Sequence, residues 1–414
     1  MLNFHKGTLS QLLNIKYFSV SEIIKITEKE IHIRLIRDLN YISICSGCRG
    51  LHLKGFHSSH EIVIEDLPIS GRRVFLYLEK RVYRCSHCGG ILVEVLDWLL
   101  IRCTRRYGEQ VYRLSAITTN QEAGWYLGID DETVYRIDRR MLEEMARKKL
   151  VPFPEAVHLS VDEVSYRKYH RYLTNVVDTD RRLVIWNDKG RKAEVLNRYY
   201  NGIGKAACEN IESVALDGAR TYISSTQQYA VNALIVYDRF HIIQQLNKTV
   251  DTVRKQELDK AHQRGDQELI QLTNCKQRFI LLKNKSNYTE KQKESLERLC
   301  AINQPIYKAM LLKEDFLGLY ECSNFEKAKE YLVNWIEKAK ISGIEVFKIL
   351  AEKFTEKMTY IINWFHKKIS SAISEGINNK IKRLKRMAYG YKDIEYFKLK
   401  IHQHCGLLNP KIAK

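Results

Sequence analysis

The run VHLSVDEV, residues 157–164, reads as an apolar strand with two carboxylates, Asp162 and Glu163, set into it. Burying a charge in such a strand is costly unless a cation holds it. Three more acids stand in comparable places. Asp217 ends the apolar run of IESVALDGARTY, Asp238 ends that of NALIVYDRFH, and Glu375 lies in SAISEGINNKIKRLKRMAYGYKD. Two carboxylates in contact repel unless a cation lies between them. Hard divalent ions bridged by carboxylates are an apparatus for cleaving phosphodiesters, so the chemistry these residues suit is metal-dependent phosphoryl transfer.

The elements around them make that convergence plausible. VHLSVDEV, YHRYLTNVVD and RRLVIWND read as three strands, KAEVLNRYYNGIG as a helix, and the runs ending at Asp217 and Asp238 as a fourth and a fifth strand. Three strands, helix, strand, helix, strand is the order of a ribonuclease-H-like α/β sheet. There the first strand is central and the fourth lies beside it, so Asp162 and Asp217 would meet and hold two Mg²⁺ (or Mn²⁺) ions. The third acid is expected from Glu375, on a helix that also puts Asn379 four residues away on one face. Lys380, Lys382, Arg383, Lys385 and Arg386 follow as a basic stripe suited to a nucleic-acid backbone. Glu163 should point to the opposite face of its strand, and Asp178 and Asp180 fall in a turn, so these three are read as structural.

Cys45 and Cys48 in ICSGCRG, with Cys85 and Cys88 in YRCSHCGG, form two C-x-x-C pairs. Small residues after each pair let the backbone curl round one tetrahedral ion, so the expectation is a zinc ribbon with one structural Zn²⁺. Between the pairs the pattern alternates like strands broken by a Pro-containing turn and a Ser-Gly turn. Cys103, Cys208, Cys275, Cys300, Cys322 and Cys405 lack such spacing and are read as packing residues. Downstream, one helix holds Tyr112, Leu114 and Ile117, a second starts after Thr119 or Asn120 and ends at Gly128, and a third starts at the acids Asp130, Asp131 and Glu132. This is a helix-turn-helix pattern, with Arg136, Arg139 and Arg140 set to face DNA.

Pro152 and Pro154 break the chain before the strands begin. Residues 242–370 read as helices, with capping boxes at Thr289/Gln292, Ser323/Glu326 and Ser342/Glu345. Tyr331, Trp335 and Trp364 are read as core aromatics. With 414 residues, Lys+Arg 68 against Asp+Glu 49 and a net charge of +19, the chain can build several cores and suits a polyanionic partner. No run approaches the roughly 20 apolar residues of a membrane span, and the N-terminus lacks a signal-peptide pattern. The chain is therefore expected in the cytoplasm, its thiols reduced or metal-bound.

Taken together, the paired C-x-x-C motif, EDLPISGRRVFLYLEKRVYRCSHC, LSVDEVSYRKYHRYLTNVVD, VALDGARTYI, YDRFHIIQQLNKTVDTVRK and SEGINNKIKRLKRMAYGYKDIEYFKLKI resemble the ISL-three family of bacterial insertion-sequence transposases, with their DDE catalytic domain. The likeness runs from about residue 40 to residue 402. It implies a homo-oligomeric enzyme that binds the terminal inverted repeats of its own element on double-stranded DNA, nicks to free a 3′ hydroxyl and joins that end to a target. It also implies that Asp162 and Glu375 are the first and last catalytic acids. Asp217 and Asp238 compete for the middle place, and strand order favours Asp217. Asp238 and His241 then resemble the D-x-x-H motif of related superfamilies, an auxiliary to the site.

The organisation expected is an N-terminal segment 1–40, a zinc ribbon 41–100, a helix-turn-helix domain 101–150, a ribonuclease-H-like core 155–241, a helical insertion 242–370, and a glutamate helix with basic C-terminus 371–414. Two other functions share these parts: a DNA-binding regulator with a decayed catalytic domain, and a hydrolytic nuclease of the same fold.

Overall fold

A computed structural model describes residues 6–38, 41, 43–51, 53–167, 171–216, 220–283, 287–367 and 372–411. The chain is mixed α/β and divides into two compact units: Met1–Lys149 with Glu395–Gln403 and Leu408–Lys414, and Leu150–Ile394 with His404–Leu407.

In the first unit, helix α1 (Lys6–Leu13) precedes strands β1 (Phe18–Ile26), β2 (Glu30–Arg37), β3 (Ile44–Cys45), β4 (Leu53–Ile69), β5 (Arg72–Cys85), β6 (Ile91–Val95), β7 (Leu99–Leu100) and β8 (Cys103–Thr104). The sheet runs β1-β2-β5-β4-β8-β7, with β6 on β5 and β3 on β6. The segment read as a separate N-terminal piece is thus a hairpin in the sheet that carries the cysteines. Strict alternation on β5 buries Val74, Leu76 and Leu78 against Ile33, Ile64 and Phe18. Only the Ser-Gly turn forms as read: Ile69 pairs with Arg72 and both Ser70 and Gly71 have positive φ, as a two-residue hairpin turn of matching twist requires. Pro68 makes no turn. It falls where the β4 register slips between Asp66 and Ile69, a place where a missing N–H breaks no ladder bond.

Helices α2 (Arg105–Ser115), α3 (Asn120–Leu127) and α4 (Asp131–Lys149) follow. Thr119 and Glu122 close a capping box on α3, and Gly128 ends it at φ 71°. Asp130 then accepts the Thr133 N–H at 2.8 Å to start α4. Ile117 lies beyond the end of α2 and is exposed. The C-terminal helix (Ile394–Cys405) joins these three through a polar knot. Asp138, fully buried, accepts from Tyr396 Oη at 2.6 Å, Lys400 Nζ at 3.1 Å and Gln403 Nε2 at 3.2 Å. Lys400 also donates to the Ser115 carbonyl at 2.6 Å, and burial pushes its ammonium pKa down.

The second unit builds its sheet from β9 (His158–Arg167), β10 (Arg171–Asp178), β11 (Leu183–Lys189), β12 (Ser213–Leu216) and β13 (Leu234–Tyr237) in the order β11-β10-β9-β12-β13. The first three are antiparallel, and β9, β12 and β13 are parallel. Helices α5 (Ala193–Ile203), α6 (Lys205–Glu209) and α7 (Arg220–Tyr229) connect them, and Leu159, Val161, Val176, Leu196, Tyr199 and Tyr222 form the core on that face. Asp178 turns the chain after β10 by accepting from the Asp180 and Arg181 N–H groups, the structural role expected of it.

Helix α8 (Arg239–Arg264) leaves β13 and opens an all-helical region: α9 (Gln267–Thr273), α10 (Cys275–Leu282), α11 (Glu290–Ile302), α12 (Gln304–Gly318), α13 (Phe325–Ile341), α14 (Glu345–Glu356), α15 (Met358–Ile362) and α16 (Trp364–Lys367). Trp335 lies in its centre among Phe316, Phe347 and Phe354 and donates to the Leu312 carbonyl at 2.8 Å, so it is core, as its helical spacing suggested. Asn363 ties the region back to the sheet by donating to the Ile235 carbonyl. Of the three capping boxes, Thr289/Gln292 forms. At SNFE the cap is Asn324, one residue on, and α14 starts after Ile344 with Ser342 accepting the Ile344 N–H in the preceding turn. At SNFE the serine loses the cap to a better-placed asparagine, and at SGIE α14 starts with no side-chain cap. Helix α17 (Ala372–Met387) then returns to pack on β9.

The knot at Asp138 gives a direct test. Asp138→Ala leaves the Lys400 charge buried without its partner and should cost about 3–5 kcal/mol, read as a lower urea midpoint of the first unit. Adding Lys400→Met to Asp138→Leu should cost clearly less than Asp138→Leu alone.

Candidate active site and zinc centre

Asp162 sits on the central strand β9 with its side chain 21 % exposed. Its Oδ1 accepts the Glu163 N–H at 2.6 Å. Its Oδ2 accepts from Asn378 Nδ2 of α17 and lies 3.8 Å from His241 Nε2 of α8. Among the described residues no lysine or arginine pairs with it. Asn175, directly opposite on β10 and hence on the same face, is 1 % exposed with neither amide atom partnered. A carboxylate without a lysine or arginine, beside an amide with no partner of its own, is oxygen-donor chemistry that fits a hard divalent ion.

Asp238 is the N-cap of α8, its Oδ1 accepting the Phe240 N–H at 2.8 Å and its Oδ2 lying 4.0 Å from His241 Nε2. One imidazole thereby bridges the ends of β13 and the middle of β9. Glu375 lies in the first turn of α17, one turn before Asn378, and is half-buried. The structure does not draw a trio from Asp162, Asp238, His241 and Glu375 to within 4.8 Å. Asp217 lies outside the described residues. Leu216, which precedes it, pairs with Val161, which precedes Asp162.

The inner face of α17 is Ile377, Asn378, Ile381 and Leu384, so the amide that reaches Asp162 is Asn378 and not Asn379, which is exposed. Four-residue spacing placed Asn379 on the face of Glu375, and the apolar phase of Ile377, Ile381 and Leu384 is the signal that finds Asn378. In the basic stripe, Lys380, Lys382, Arg383 and Arg386 are exposed, whereas Lys385 donates to the Ser165 carbonyl at 2.7 Å and ties α17 to β9. On α4, Arg136, Arg139 and Arg140 each pair with a glutamate four residues away, Glu132, Glu143 and Glu144. Arg136 is 67 % exposed, and Arg140 lines a cleft of about 380 Å³ with Arg49, Arg105, Arg147 and Lys148.

The four cysteines converge. Cys45 Sγ is 3.8 Å from Cys88 Sγ, Cys48 Sγ is 3.7 Å from Cys85 Sγ, and all four sulfurs lie within 4.8 Å of one another. Zn–S bonds of about 2.3 Å in a tetrahedron put sulfurs about 3.8 Å apart, so the cage fits zinc. The two pairs curl identically. The Arg49 and Gly89 N–H groups donate to the Cys45 and Cys85 carbonyls, and the Cys45 and Cys85 N–H groups donate to Gly50 and Gly90. Arg49 and Gly89 both take positive φ to do so. The Cys88 backbone N–H, and then that of His87, lower the pKa of the Cys85 thiol, while the neighbouring thiols raise those of Cys48 and Cys88, so the convergence of the four sulfurs is what points to a metal.

A family profile described as transposase, that of the ISL-three DDE domain, matches residues 159–401. The chain belongs to the ISL-three family of DDE transposases. A second profile, described as zinc-finger of transposase IS204/IS1001/IS1096/IS1165, matches residues 43–88 of this ISL-three transposase and spans all four cysteines. The transposase for insertion sequence element IS1001 of Bordetella parapertussis is 31 % identical over 363 residues, 87 % of this chain and 88 % of the relative. The transposase for insertion sequence element IS1557 of Mycobacterium tuberculosis is 24 % identical over 319 residues, 72 % and 68 % respectively. The part of the ISL-three domain that sequence spacing missed is the contact from Asn378 to Asp162.

Purified chain should carry about one zinc per molecule by elemental analysis. Cys45→Ser or Cys85→Ser should remove most of it and lower the thermal midpoint of the first unit, and chelation of the wild type should do the same.

Proposed function

We propose that this ISL-three transposase acts in the bacterial cytoplasm on double-stranded DNA. It binds the terminal inverted repeats of its own element, nicks to free a 3′ hydroxyl and joins that end to a target, working as a homo-oligomer. The catalytic core is ribonuclease-H-like, interrupted by the helical region, with a zinc ribbon around Cys45, Cys48, Cys85 and Cys88 and a helix-turn-helix made by α3 and α4. Its boundaries follow the sequence, with the core opening near residue 155 and the insertion near 242. Asp162, Asp217 and Glu375 are the catalytic acids. The observation that carries this is the sheet order β11-β10-β9-β12-β13, with Asp162 on the central strand and the residue before Asp217 paired to the residue before Asp162.

Asp162, Asp217 and Glu375 would hold two Mg²⁺ (or Mn²⁺) ions, which when bound polarise the attacking hydroxyl or water and stabilise the leaving oxygen. Asn378 keeps the Asp162 carboxylate aimed by donating to one oxygen while the Glu163 N–H takes the other. Asp238 fixes the start of α8 and with it His241, whose ring lies near both aspartates, an auxiliary role. Arg136, Arg139 and Arg140 on α4 would meet DNA at the end repeats. Lys380, Lys382, Arg383 and Arg386 would hold the backbone beside Glu375, while Lys385 holds α17 itself.

Strand cleavage and joining on duplexes bearing the element's ends, with Mg²⁺ or Mn²⁺, tests these roles. Asp162→Asn, Asp217→Asn and Glu375→Gln should each lower cleavage by at least about 10²-fold and leave end binding intact, while Asp238→Asn weakens cleavage less. Loss on Asp238→Asn with an active Asp217→Asn would exchange those two roles. A wild-type chain that binds the ends and never cuts would make the chain a DNA-binding regulator.

A further inference from the structure

Helix α8 does not stop at the acid site. From His241 its same face continues through Gln245, Lys248 and Thr252, at helical spacing. Gln245 donates to the hydroxyl of Tyr237, the last residue of β13 and the neighbour of Asp238. The Lys357 ammonium stands 4.7 Å from the centre of the same Tyr237 ring. Between α8 and α14 these side chains open into a cleft of about 520 Å³ whose walls carry Lys248, Lys353 and Lys357, with Gln245 and Thr252 as neutral hydrogen-bonding groups. No carboxylate lines it among the described residues. Lys248 and Lys353 are exposed, and Ile349, 42 % exposed, gives it an apolar wall. A neighbouring cleft along α8 differs in kind: it contains Asp251, which holds Lys255 at 3.4 Å and Arg278 at 3.5 Å in ion pairs.

We infer that the cleft between α8 and α14 is a binding track for the sugar-phosphate backbone of the DNA strand that runs through the acid site, with Lys248, Lys353 and Lys357 on successive phosphates. This rests on the strand-transfer function proposed above and adds which part of the helical region the DNA touches. Lys248 and Lys353, exposed in a cleft that no carboxylate lines among the described residues, suit a polyanion, and Lys357 lines the same cleft. The ten residues from Asp238 to Lys248 rise about 15 Å along the helix, the axial length of about four or five base pairs of duplex at about 3.4 Å each. Contacts of this kind carry no sequence information, so the track positions the strand and leaves recognition of the ends elsewhere.

The experiment uses the full-length, zinc-loaded chain and two 40-base-pair duplexes, one carrying the element's end and one of scrambled sequence. Binding is measured across a salt series for wild type, the Lys248→Gln/Lys353→Gln/Lys357→Gln triple variant, and Lys338→Gln. Lys338 is a lysine of the same helical region paired with Asp315, and it serves as the control. The triple variant should lower affinity for both duplexes by the same factor and make the slope of log K against log salt shallower by about 2 to 3, with Lys338→Gln unchanged. Lys248→Gln and Lys353→Gln, exposed and clear of Tyr237, should each lower the slope by about 0.9 without a change in thermal midpoint, which separates the effect from misfolding. A triple variant with wild-type affinity and slope overturns the track, as does a loss confined to the end duplex. If the wild type still cuts and joins in that case, strand transfer stands without it. A wild type that binds neither duplex removes both.

Discussion

A carboxylate in the middle of a central β-strand is the constraint around which the second unit is arranged. Asp162 has lost most of its water, and among the described residues no lysine or arginine pairs with it. Its charge is tolerable only if donors and a cation hold it. The donors are the Glu163 N–H of its own strand and the Asn378 amide of α17, with the His241 ring 3.8 Å away at the start of α8. That requirement explains why α17 returns across more than a hundred residues of inserted helix to lie on β9, and why Lys385 and the apolar residues Ile377, Ile381 and Leu384 fasten it there. The helix that shields Asp162 is the helix that carries Glu375.

The first unit answers the same problem with built-in partners. Glu94, 2 % exposed, is held by Arg37, Ser43 Oγ and the Arg81 N–H, which binds the N-terminal hairpin to the strands of the zinc ribbon. Asp66 is held by Arg106 and by Thr104, the cap of α2. Asp138 is held by Lys400. Each buried acid here is fully partnered, which fixes register and element order at little net gain in stability. Asp162 is the contrast, since among the described residues no lysine or arginine pairs with it. The completely paired buried acids Asp66, Glu94 and Asp138 are architectural.

Much of this was legible in the sequence, for physical reasons. Strand alternation and the order of elements gave the sheet in which β9 is central and β12 lies beside it. The spacing of Cys45, Cys48, Cys85 and Cys88 gave the thiol cage, and Thr119 with Gly128 gave both ends of α3, because caps and knuckles are local. What escaped was non-local or a matter of one residue in phase. The parallel pairing of β2 with β5 makes the segment before residue 40 part of the main sheet, and no nearby residue announces it. The Asp138–Lys400 pair joins positions 262 residues apart. Spacing puts Asn379 on the face of Glu375 and does not single out Asn378, because three- and four-residue spacings both share a helix face until the buried side is known. Lys385 looked like one more cation in a stripe, and only the packing of α17 on β9 shows it to be a strut.

Asp162 and Glu375 are proposed to share metal ions on one face of the β9–β12 pair. Iron(II) substituted for the Mg²⁺ and treated with ascorbate and peroxide cuts the protein backbone close to wherever the ion is held, and this maps the ion site directly. The expected result is cleavage confined to three stretches, around residue 162, in the 217–241 region and around residue 375, suppressed by excess Mg²⁺ and lost in Asp162→Asn. Cleavage that leaves the segment around Glu375 untouched, or that persists undiminished in Asp162→Asn, would contradict it.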